Sequence, residues 1–564
     1  MTKANLTELP HELWDQIVAH IPLARDLSHL GQADKSLHKY VENEGWAIFS
    51  RRQFPWVSPA PSSSWRSTAR TLTTVSRAWD RRAYVIRTLE PTGLITTFPS
   101  GTKVEQWKRP SGQTMGFAPR IDVLDYDASA TKATTILAFS AGAQICLAKQ
   151  SARLVVGHKR SEHRTWSTYK PFSAREGIDD VTSLHLLAQA VDESHDQQEV
   201  IAGTANGDLQ HLSIPFDSGT SSVKTYFTTQ GLPVQATSLL QHGGHKPLLA
   251  AALGNDQLAV YTVDGAQGKI APSSTISLRT TESTQPAFRA ASCRVWTTAL
   301  LAKEQVAIGI GVSETPLQLC TLTPSGFDSA GTRSFKLTDG SGKAVRSSSV
   351  FAVSPSHDNK QTFFSGAYDG VVRLHDLRAP GDVQTSFSMP NNDNAIYSLL
   401  TKGHQTLLAG TSRHDTIQVF DLRMKAGQYC YTDARLNSTG YSLFMPKVES
   451  RGRGTTEGSV YSLATGSSSS PMIYAGLQNT ILEMAVTEID HPHPDPLHFR
   501  PWPASKKSAR PYDWNNWKER SIRNIARYED AALITQTDMV TTWQNVHRKA
   551  LRRDSGLDIR WWQS

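Results

Sequence analysis

Two segments in the middle of the chain repeat one pattern of strands and turns. "TFFSGAYDGVVRLHDLRAP" starts at Thr362, and "TLLAGTSRHDTIQVFDLRM" starts at Thr406. Each consists of an apolar strand that ends in small residues, a polar turn with an aspartate, an alternating strand and then Asp-Leu-Arg. A unit of this size cannot bury both faces of its strands alone, so it has to stack against further copies. This repeat constrains the fold more than any other feature of the sequence.

Weaker copies extend the pattern on both sides. They begin at Thr134, Glu199, Pro247, Gln305 and Met472. Each copy follows another short strand-like run, such as "VTSLHLL" at Val181 and "IYSLLTK" at Ile396. The units recur every 50–65 residues, roughly, and the surplus over a usual propeller repeat fits into polar loops. Seven radially stacked units predict a mainly β fold, a seven-bladed β-propeller over residues 115–490.

The ends of the two best repeats resemble the WD-repeat family of β-propellers. His375-Asp376 and Phe420-Asp421 stand where that family has Trp-Asp. The resemblance implies a ring that is closed by a strand from flanking sequence. We expect this closing strand near Leu94–Trp107 or in the C-terminal tail.

A different pattern precedes the repeats. Pro10 suits the first turn of a helix, because its missing N–H would have no partner there. Leu13, Ile17 and Ile21 then recur four residues apart and form one apolar stripe. A second helical pattern contains Leu27, Leu30, Ala33, Leu37 and Val41. These patterns predict a small all-α module over residues 5–52 with an apolar stripe left over, which is typical of a surface that docks partner helices.

The same stretch, "LPHELWDQIVAHIP…DLSHLGQADKSLHKYV", resembles an F-box. Asp34 and Lys35 depart mildly from the family, in which Cys or Ser followed by Arg is common. The resemblance implies that the module docks a Skp-family adaptor and, through it, a cullin. The implied adaptor contacts are Leu9, Pro10, Leu13, Ile17, Leu27 and Leu30. The chain would be a non-catalytic substrate receptor of a Skp–cullin–F-box ligase, whose propeller presents a target protein for ubiquitination and proteasomal degradation.

Three arginines are candidates for binding that target. Arg120, Arg294 and Arg346 precede the first strand of three units, and we expect them at one rim of the propeller near its channel. Guanidinium groups suit bidentate capture of phosphate or carboxylate. F-box proteins with propellers commonly use arginines for phosphorylated segments, so the resemblance implies a phosphorylated or acidic target. The alternative is a chance alignment in a chain whose net charge is +8.

Two further segments flank the propeller. Residues 53–114 read as a linker or spacer, in which "SRAWDRRAYVIRTL" has helical content and a basic face. Residues 491–564 form a basic tail with Trp514, Trp517, Trp543, Trp561 and Trp562. We expect these tryptophans to pack on the propeller side rather than to stack on nucleic acid.

The sequence carries no constellation that indicates catalysis. It lacks a GxGxxG after a strand, a GxxxxGK[ST], an HExxH and a GxSxG. Asp369 and Asp415 are expected to accept hydrogen bonds within strand turns. His491 and His493 lie among prolines, which favours a solvated extended segment over a metal site. We therefore expect no enzyme, no metal and no cofactor.

The remaining features concern the compartment. Cys146, Cys293, Cys320 and Cys430 are far apart, which favours reduced thiols. No leader pattern and no run of 18 apolar residues occurs. These features predict a protein of the cytoplasm or nucleus without a membrane partner.

Other functions stay open at this point. "HDLR" and "FDLR" resemble the Asp-x-Arg ends by which some WD-repeat proteins join the other large cullin ligase through its triple-propeller adaptor. An F-box–propeller pair could also assemble complexes without degradation. A nucleic-acid-binding propeller would show a steep salt dependence of binding.

Overall fold

The structure is a computed structural model, and it describes most of the chain up to the last blade. The described residues are 9–54, 64–80, 84–110, 116–129, 132–155, 159–171, 173–188, 196–241, 246–264, 268–278, 294–339, 343–356, 361–388, 394–402, 406–422, 440–444, 458–467, 470, 472–486 and 526–528. The tail tryptophans, His491, His493, Cys293 and Cys430 lie outside these residues.

The N-terminal module consists of short helices around one apolar core. They are α1 (His11–Ala19), α2 (Ala24–Ala33), α3 (Lys35–Tyr40), a π-helical turn over Val41–Gly45, and α4 (Trp46–Gln53). Asp34 caps α3, because its carboxylate accepts a hydrogen bond of 2.7 Å from the backbone N–H of Ser36. The core includes Trp14, Val18, Leu27, Leu37, Val41, Trp46 and Phe49.

A single helix, α5 (Trp65–Asp80), connects this module to the propeller. Ala69 and Leu72 on α5 belong to the core of the helical module. One turn further on, Val75 belongs to an apolar core formed by the last two blades. The 16 residues of α5 span about 24 Å at 1.5 Å per residue. The predicted spacer is therefore a helix that contacts both modules.

The strands begin directly after α5. Three of them precede the first inner strand: β1 (Tyr84–Leu89), β2 (Ile95–Phe98) and β3 (Thr102–Val104). Blade 1 consists of β4 (Ile121–Ser129), β5 (Lys132–Ala141), β6 (Gln144–Val155) and β7 (Lys159–Tyr169). Blade 2 consists of β8 (Val181–Leu186), β9 (Gln197–Thr204), β10 (Leu209–Pro215) and β11 (Ser222–Phe227).

The next three blades follow the same order of strands. Blade 3 consists of β12 (Val234–Leu240), β13 (Leu248–Leu253), β14 (Gln257–Thr262) and β16 (Ser274–Ser277), while β15 (Gly268–Ile270) pairs with the outer strand of blade 2. Blade 4 consists of β17 (Arg294–Ala302), β18 (Gln305–Gly311), β19 (Leu317–Thr323) and β20 (Gly326–Phe335). Blade 5 consists of β21 (Val350–Pro355), β22 (Thr362–Ala367), β23 (Val372–Asp376) and β24 (Thr385–Phe387).

The last two blades complete the ring. Blade 6 consists of β25 (Ile396–Lys402), β26 (Thr406–Thr411), β27 (Thr416–Asp421) and β28 (Gly440–Phe444). Blade 7 contains β29 (Val460–Ala464), β30 (Met472–Leu477) and β31 (Thr480–Val486). The inner strands contact one another in chain order, and β29 contacts β4. The described strands thus confirm the mainly β, seven-bladed propeller behind a small helical module.

The closing strand differs from the prediction. It is β1, which pairs antiparallel with β31, with Tyr84 opposite Val486 and Leu89 opposite Ile481. The predicted stretch near Leu94–Trp107 instead supplies β2 and β3, and β2 pairs in parallel with the outer strand of blade 1. From the tail, β32 (Ala526–Tyr528) adds to the outer side of β1. The run "YVIRTL" contains β-branched residues, and it pairs its backbone with the otherwise unpaired edge of β31 in blade 7. This pairing makes the segment a strand, although the residues before it form a helix.

The small residues at the end of each second strand have a packing role. A Cβ on Gly366 would lie 2.5 Å from Cγ2 of Ile396, which begins the inner strand of the next blade. A Cβ on Gly410 would lie 2.7 Å from Cγ1 of Val460 in the same way. Glycine at these positions lets adjacent blades approach closely, which explains the small residues of the repeat.

His375 lies on the third strand of blade 5. Its ring is fully buried and stacks on Phe363, with 4.8 Å between the ring centroids. Nδ1 lies 2.6 Å from the carbonyl oxygen of Asp382, so it donates, and Nε2 accepts from the Ser365 hydroxyl at 2.8 Å. Burial lowers the pKa of His375 to about 4, which keeps this ring neutral.

Candidate protein-docking surfaces

Helix α1 presents an apolar face to solvent. The side chains of Leu13 and Ile17 lie four residues apart and are 43% and 40% exposed. Pro10 is exposed before them, Leu9 is half-buried, and Leu23 in the following turn is also exposed. We call the surface of Pro10, Leu13 and Ile17 the α1 face. Exposed apolar side chains grouped on one helix are the usual form of a helix-docking surface.

The opposite side of α1 is fixed to the helical core. Trp14 and Val18 are buried there, and the Tyr40 hydroxyl donates a hydrogen bond of 2.6 Å to Oδ1 of Asp15. Burial and this carboxylate raise the pKa of Tyr40, so the hydroxyl stays a donor. The α1 face is therefore held by a packed core rather than by a free helix.

The structure separates the six predicted adaptor contacts into two groups. Pro10, Leu13 and Ile17 are exposed together on the α1 face. Leu27 is completely buried in the core of the module, while Leu9 and Leu30 are half-buried against it. Leu27 thus supports the helices instead of touching a partner in this conformation. Helical spacing alone predicts an apolar stripe, but it does not tell which side of the stripe meets the neighbouring helix.

The three predicted arginines do not occupy equivalent positions. In six blades a buried Val or Ile is the first or second residue of the inner strand, and the residue after it is a β-bulge. Arg294 is the first residue of β17 and directly precedes the buried Val295, and Arg120 likewise directly precedes Ile121, the first residue of β4. Arg346 lies four positions before Val350, the first residue of β21. The predicted alignment is therefore correct for two of the arginines and shifted by three residues for the third.

Arg120 and Arg294 also differ in their surroundings. Arg120 is half-buried, and its Nη1 donates to the carbonyl oxygen of Tyr461 at 3.4 Å. Burial lowers its pKa. Arg294 is exposed, its guanidinium lies 4.4 Å from the centroid of the Trp296 ring, and it donates to Oε1 of Gln235.

The bulge residues form a surface that was not predicted. In blades 4 to 7 they are Trp296, Phe351, Tyr397 and Tyr461, which we call the aromatic arc. Neighbouring ring centroids along the arc are 5.1, 5.2 and 6.1 Å apart. In blades 2 and 3 the same position holds polar residues, Thr182 and Gln235. The signal was present in the sequence, because the inner strands "VW", "VF", "IY" and "VY" share an aromatic second residue.

Asp369, one of the carboxylates considered for acid–base chemistry, has hydrogen-bond and ion-pair partners within its own blade. Asp369 accepts a hydrogen bond of 3.2 Å from the backbone N–H of Val371 within its turn, as predicted, and also pairs with Arg373. Within the part of the chain that the structure describes, no group of three or more His, Cys, Asp or Glu could hold a metal ion. Cys146 and Cys320 are buried free thiols whose pKa values are raised by burial. Among the described helices, none is both long and apolar enough to cross a bilayer.

In one of the Asp-x-Arg ends, the aspartate and the arginine pair with each other. Asp376 accepts hydrogen bonds of 3.0 and 2.8 Å from Nε and Nη2 of Arg378. In the second such end, Arg423 lies outside the described residues.

Comparison with known proteins does not assign the chain to a family. No family model matches the sequence. No curated protein matches it either. Of the 716 solved chains that match in three dimensions, one is the crystal structure of Raptor from Chaetomium thermophilum, with a TM-score of 0.42 and 12% sequence identity. The match covers 82% of this chain but only 39% of that one, and a likeness at this level carries no argument about function.

Proposed function

We propose that this protein is a substrate receptor of a Skp–cullin–F-box ubiquitin ligase, in which the α1 face binds the Skp-family adaptor. One observation carries the proposal: Leu13 and Ile17 are exposed side by side, behind an exposed Pro10, on a helix whose other side is packed. A folded module gains nothing from leaving such apolar side chains in water. An adaptor helix would bury them. The F-box resemblance of the same residues names the class of partner.

In this role the chain does no covalent chemistry itself. It raises the effective concentration of a target beside the ubiquitin-charged enzyme, and its contribution depends on a defined distance between the two docking sites. Helix α5 supports that requirement, since Leu72 packs in the helical module and Val75 packs in the propeller. A packed helix fixes the orientation of the helical module relative to the propeller, whereas a flexible linker would not. The role would place the protein in the cytoplasm or nucleus.

We further propose that the target binds at the end of the propeller that holds Arg294 and Arg120. Arg294 is exposed, so its guanidinium can reach a carboxylate or phosphate of a bound segment. Arg120 would act mainly by its charge, because it is half-buried. Arg346 is exposed as well, although it lies outside the strand register of the other two.

The test is affinity purification of the intact protein from cells, with mass spectrometry of its partners, beside the Leu13→Asp/Ile17→Asp variant. Both side chains are already exposed, so the variant should fold. We expect adaptor and cullin with the intact protein and neither with the variant.

A matched control is Ile178→Asp, because Ile178 is 41% exposed, almost the same as Ile17, but lies before blade 2. This control should retain adaptor and cullin. If the intact chain brings down neither protein, the adaptor role is wrong. A non-degradative scaffold then becomes the better account, with the proteins that are retained by all three forms as its partners.

A further inference from the structure

The aromatic arc has the composition of a protein-binding hot spot. Trp296 is 37% exposed, and Tyr368, whose ring is 6.5 Å from that of Phe351, is 66% exposed. Val312, which is also exposed, lies next to Trp296. The residue before it, Gly311, is so close to Trp296 that an added Cβ would lie 2.7 Å from Nε1 of the indole ring. Tryptophan and tyrosine are the residues that most often anchor interfaces. Four consecutive blades thus offer one half of this end of the propeller as an aromatic surface.

Three arginines lie beside the arc. Arg294 covers one end of the arc at Trp296, and Arg120 contacts the backbone of Tyr461 at the other end. Arg413, which is exposed, lies two residues after Thr411, and Thr411 pairs with Ile396, the residue before Tyr397. The carboxylate of Asp369, which follows Tyr368, is already paired with Arg373. A ligand with negative charges complements this arrangement.

The orientation of the rings favours a peptide over a single-stranded nucleic acid. Bases need free ring faces on which to stack. Here one face of Trp296 is covered by Arg294, and Tyr397 and Tyr461 stack on each other with 25° between their planes. Phe351 meets both Trp296 and Tyr397 edge to face. Rings whose faces are covered or turned toward one another suit the apolar and aromatic side chains of a peptide better than a row of stacked bases.

We propose that the aromatic arc is a docking surface for a peptide segment that combines acidic residues with apolar or aromatic anchors. The anchors pack on the arc between Trp296 and Tyr397, and the carboxylates lie near Arg294 and Arg413. This inference rests on the target-binding role proposed for the propeller and specifies the kind of segment that the target would present. It assigns affinity to the aromatic anchors and does not require the ligand to be phosphorylated.

The test is selection of short random peptides, displayed without phosphate, on the immobilised full-length protein. The selected peptides are then synthesised and their binding is measured by fluorescence anisotropy in the absence of any adaptor. We expect the selected peptides to contain Asp or Glu together with Trp, Phe or Leu. Trp296→Ala should weaken their binding by about tenfold or more. Arg294→Gln should weaken it less and reduce its dependence on salt.

The control variant is Tyr226→Ala, which removes an aromatic side chain of similar exposure, 45%, from the outer strand of blade 2. It should leave peptide binding unchanged, and thermal melts should show that all three variants are folded. The proposal is overturned if no peptide is enriched, if the enriched peptides are basic, or if Trp296→Ala and Tyr226→Ala behave alike. Binding of labelled oligothymidylate that is lost in Trp296→Ala would overturn it in favour of nucleic acid. None of these outcomes affects adaptor binding by α1, so the two proposals fail separately.

Discussion

Replacement of Lys402 by methionine should change how the stability of the propeller depends on pH. Lys402 ends the inner strand of blade 6, and its side chain is buried. Its Nζ donates to Oγ1 of Thr465 at 2.8 Å and to the carbonyl oxygen of Ser467 at 2.9 Å. Methionine has a similar length but carries no ammonium group. The substitution therefore removes one buried titratable group and keeps most of the packing.

The sign and size of the effect follow from the pKa of this amine. Burial lowers the pKa of Lys402 to about 7, although the charge of Asp125 opposes the change. In the unfolded chain the pKa of a lysine is about 10.4. Between these values the unfolded state holds a proton that the folded state has lost, so stability rises with pH by about 1.4 kcal/mol per unit. The full effect is on the order of 5 kcal/mol; it is present above about pH 10.4 and is lost progressively as the pH falls from there to about 7.

The assay is the melting temperature of both proteins from about pH 6.5 to about pH 9.5, a window that lies mostly between the two pKa values. Across it the wild type should gain roughly 3 kcal/mol relative to Lys402→Met, which corresponds to about 3 °C for a domain of this size. Loss of the two hydrogen bonds in the variant adds an offset that does not depend on pH. Parallel curves for the two proteins would refute the reasoning, because they would mean that Lys402 keeps an ordinary pKa in the folded state.

Two further substitutions test the packing of the propeller. Asp369→Ala should destabilise blade 5 by about 3 kcal/mol, because it leaves the fully buried guanidinium of Arg373 without its carboxylate. The control Arg378→Ala removes an exposed ion pair and should leave the melting temperature unchanged. Equal melting temperatures for the two variants would contradict this account. Gly366→Val should cost about 1–3 kcal/mol in chemical unfolding, since its side chain would overlap Ile396 of the next blade. An unchanged unfolding midpoint in Gly366→Val would show that the blades are not closely packed there.

The architecture could be predicted from the sequence because it is repeated. Each unit brings its own strands, its own turn aspartate and small residues where the next blade approaches, as at Gly366 and Gly410. Local patterns of this kind are visible without any knowledge of distant contacts. The helical module was predictable for the same reason, since its apolar residues recur at helical spacing.

The features that depend on distant pairing were not predictable in this way. The closing strand β1 finds its partner β31 at the opposite end of the propeller sequence. The neighbouring basic helix in "SRAWDRRAYVIRTL" made that strand look like a continuation of α5, which ends at Asp80. Arg346 was aligned with Arg294 because the run "SSSVFAV" reads as a strand from Ser347, whereas β21 begins three residues later, at Val350.

The central claim is that the α1 face binds a Skp-family adaptor. The most direct test is calorimetric titration of the purified full-length protein with a purified Skp-family adaptor, repeated with Ile17→Asp and with its control Ile178→Asp. The account predicts saturable binding by the intact protein and the control. It predicts a loss of about 30-fold or more for Ile17→Asp, as expected when a charge enters the centre of an apolar interface. Absence of binding by the intact protein, or equal affinity of all three forms, would contradict it.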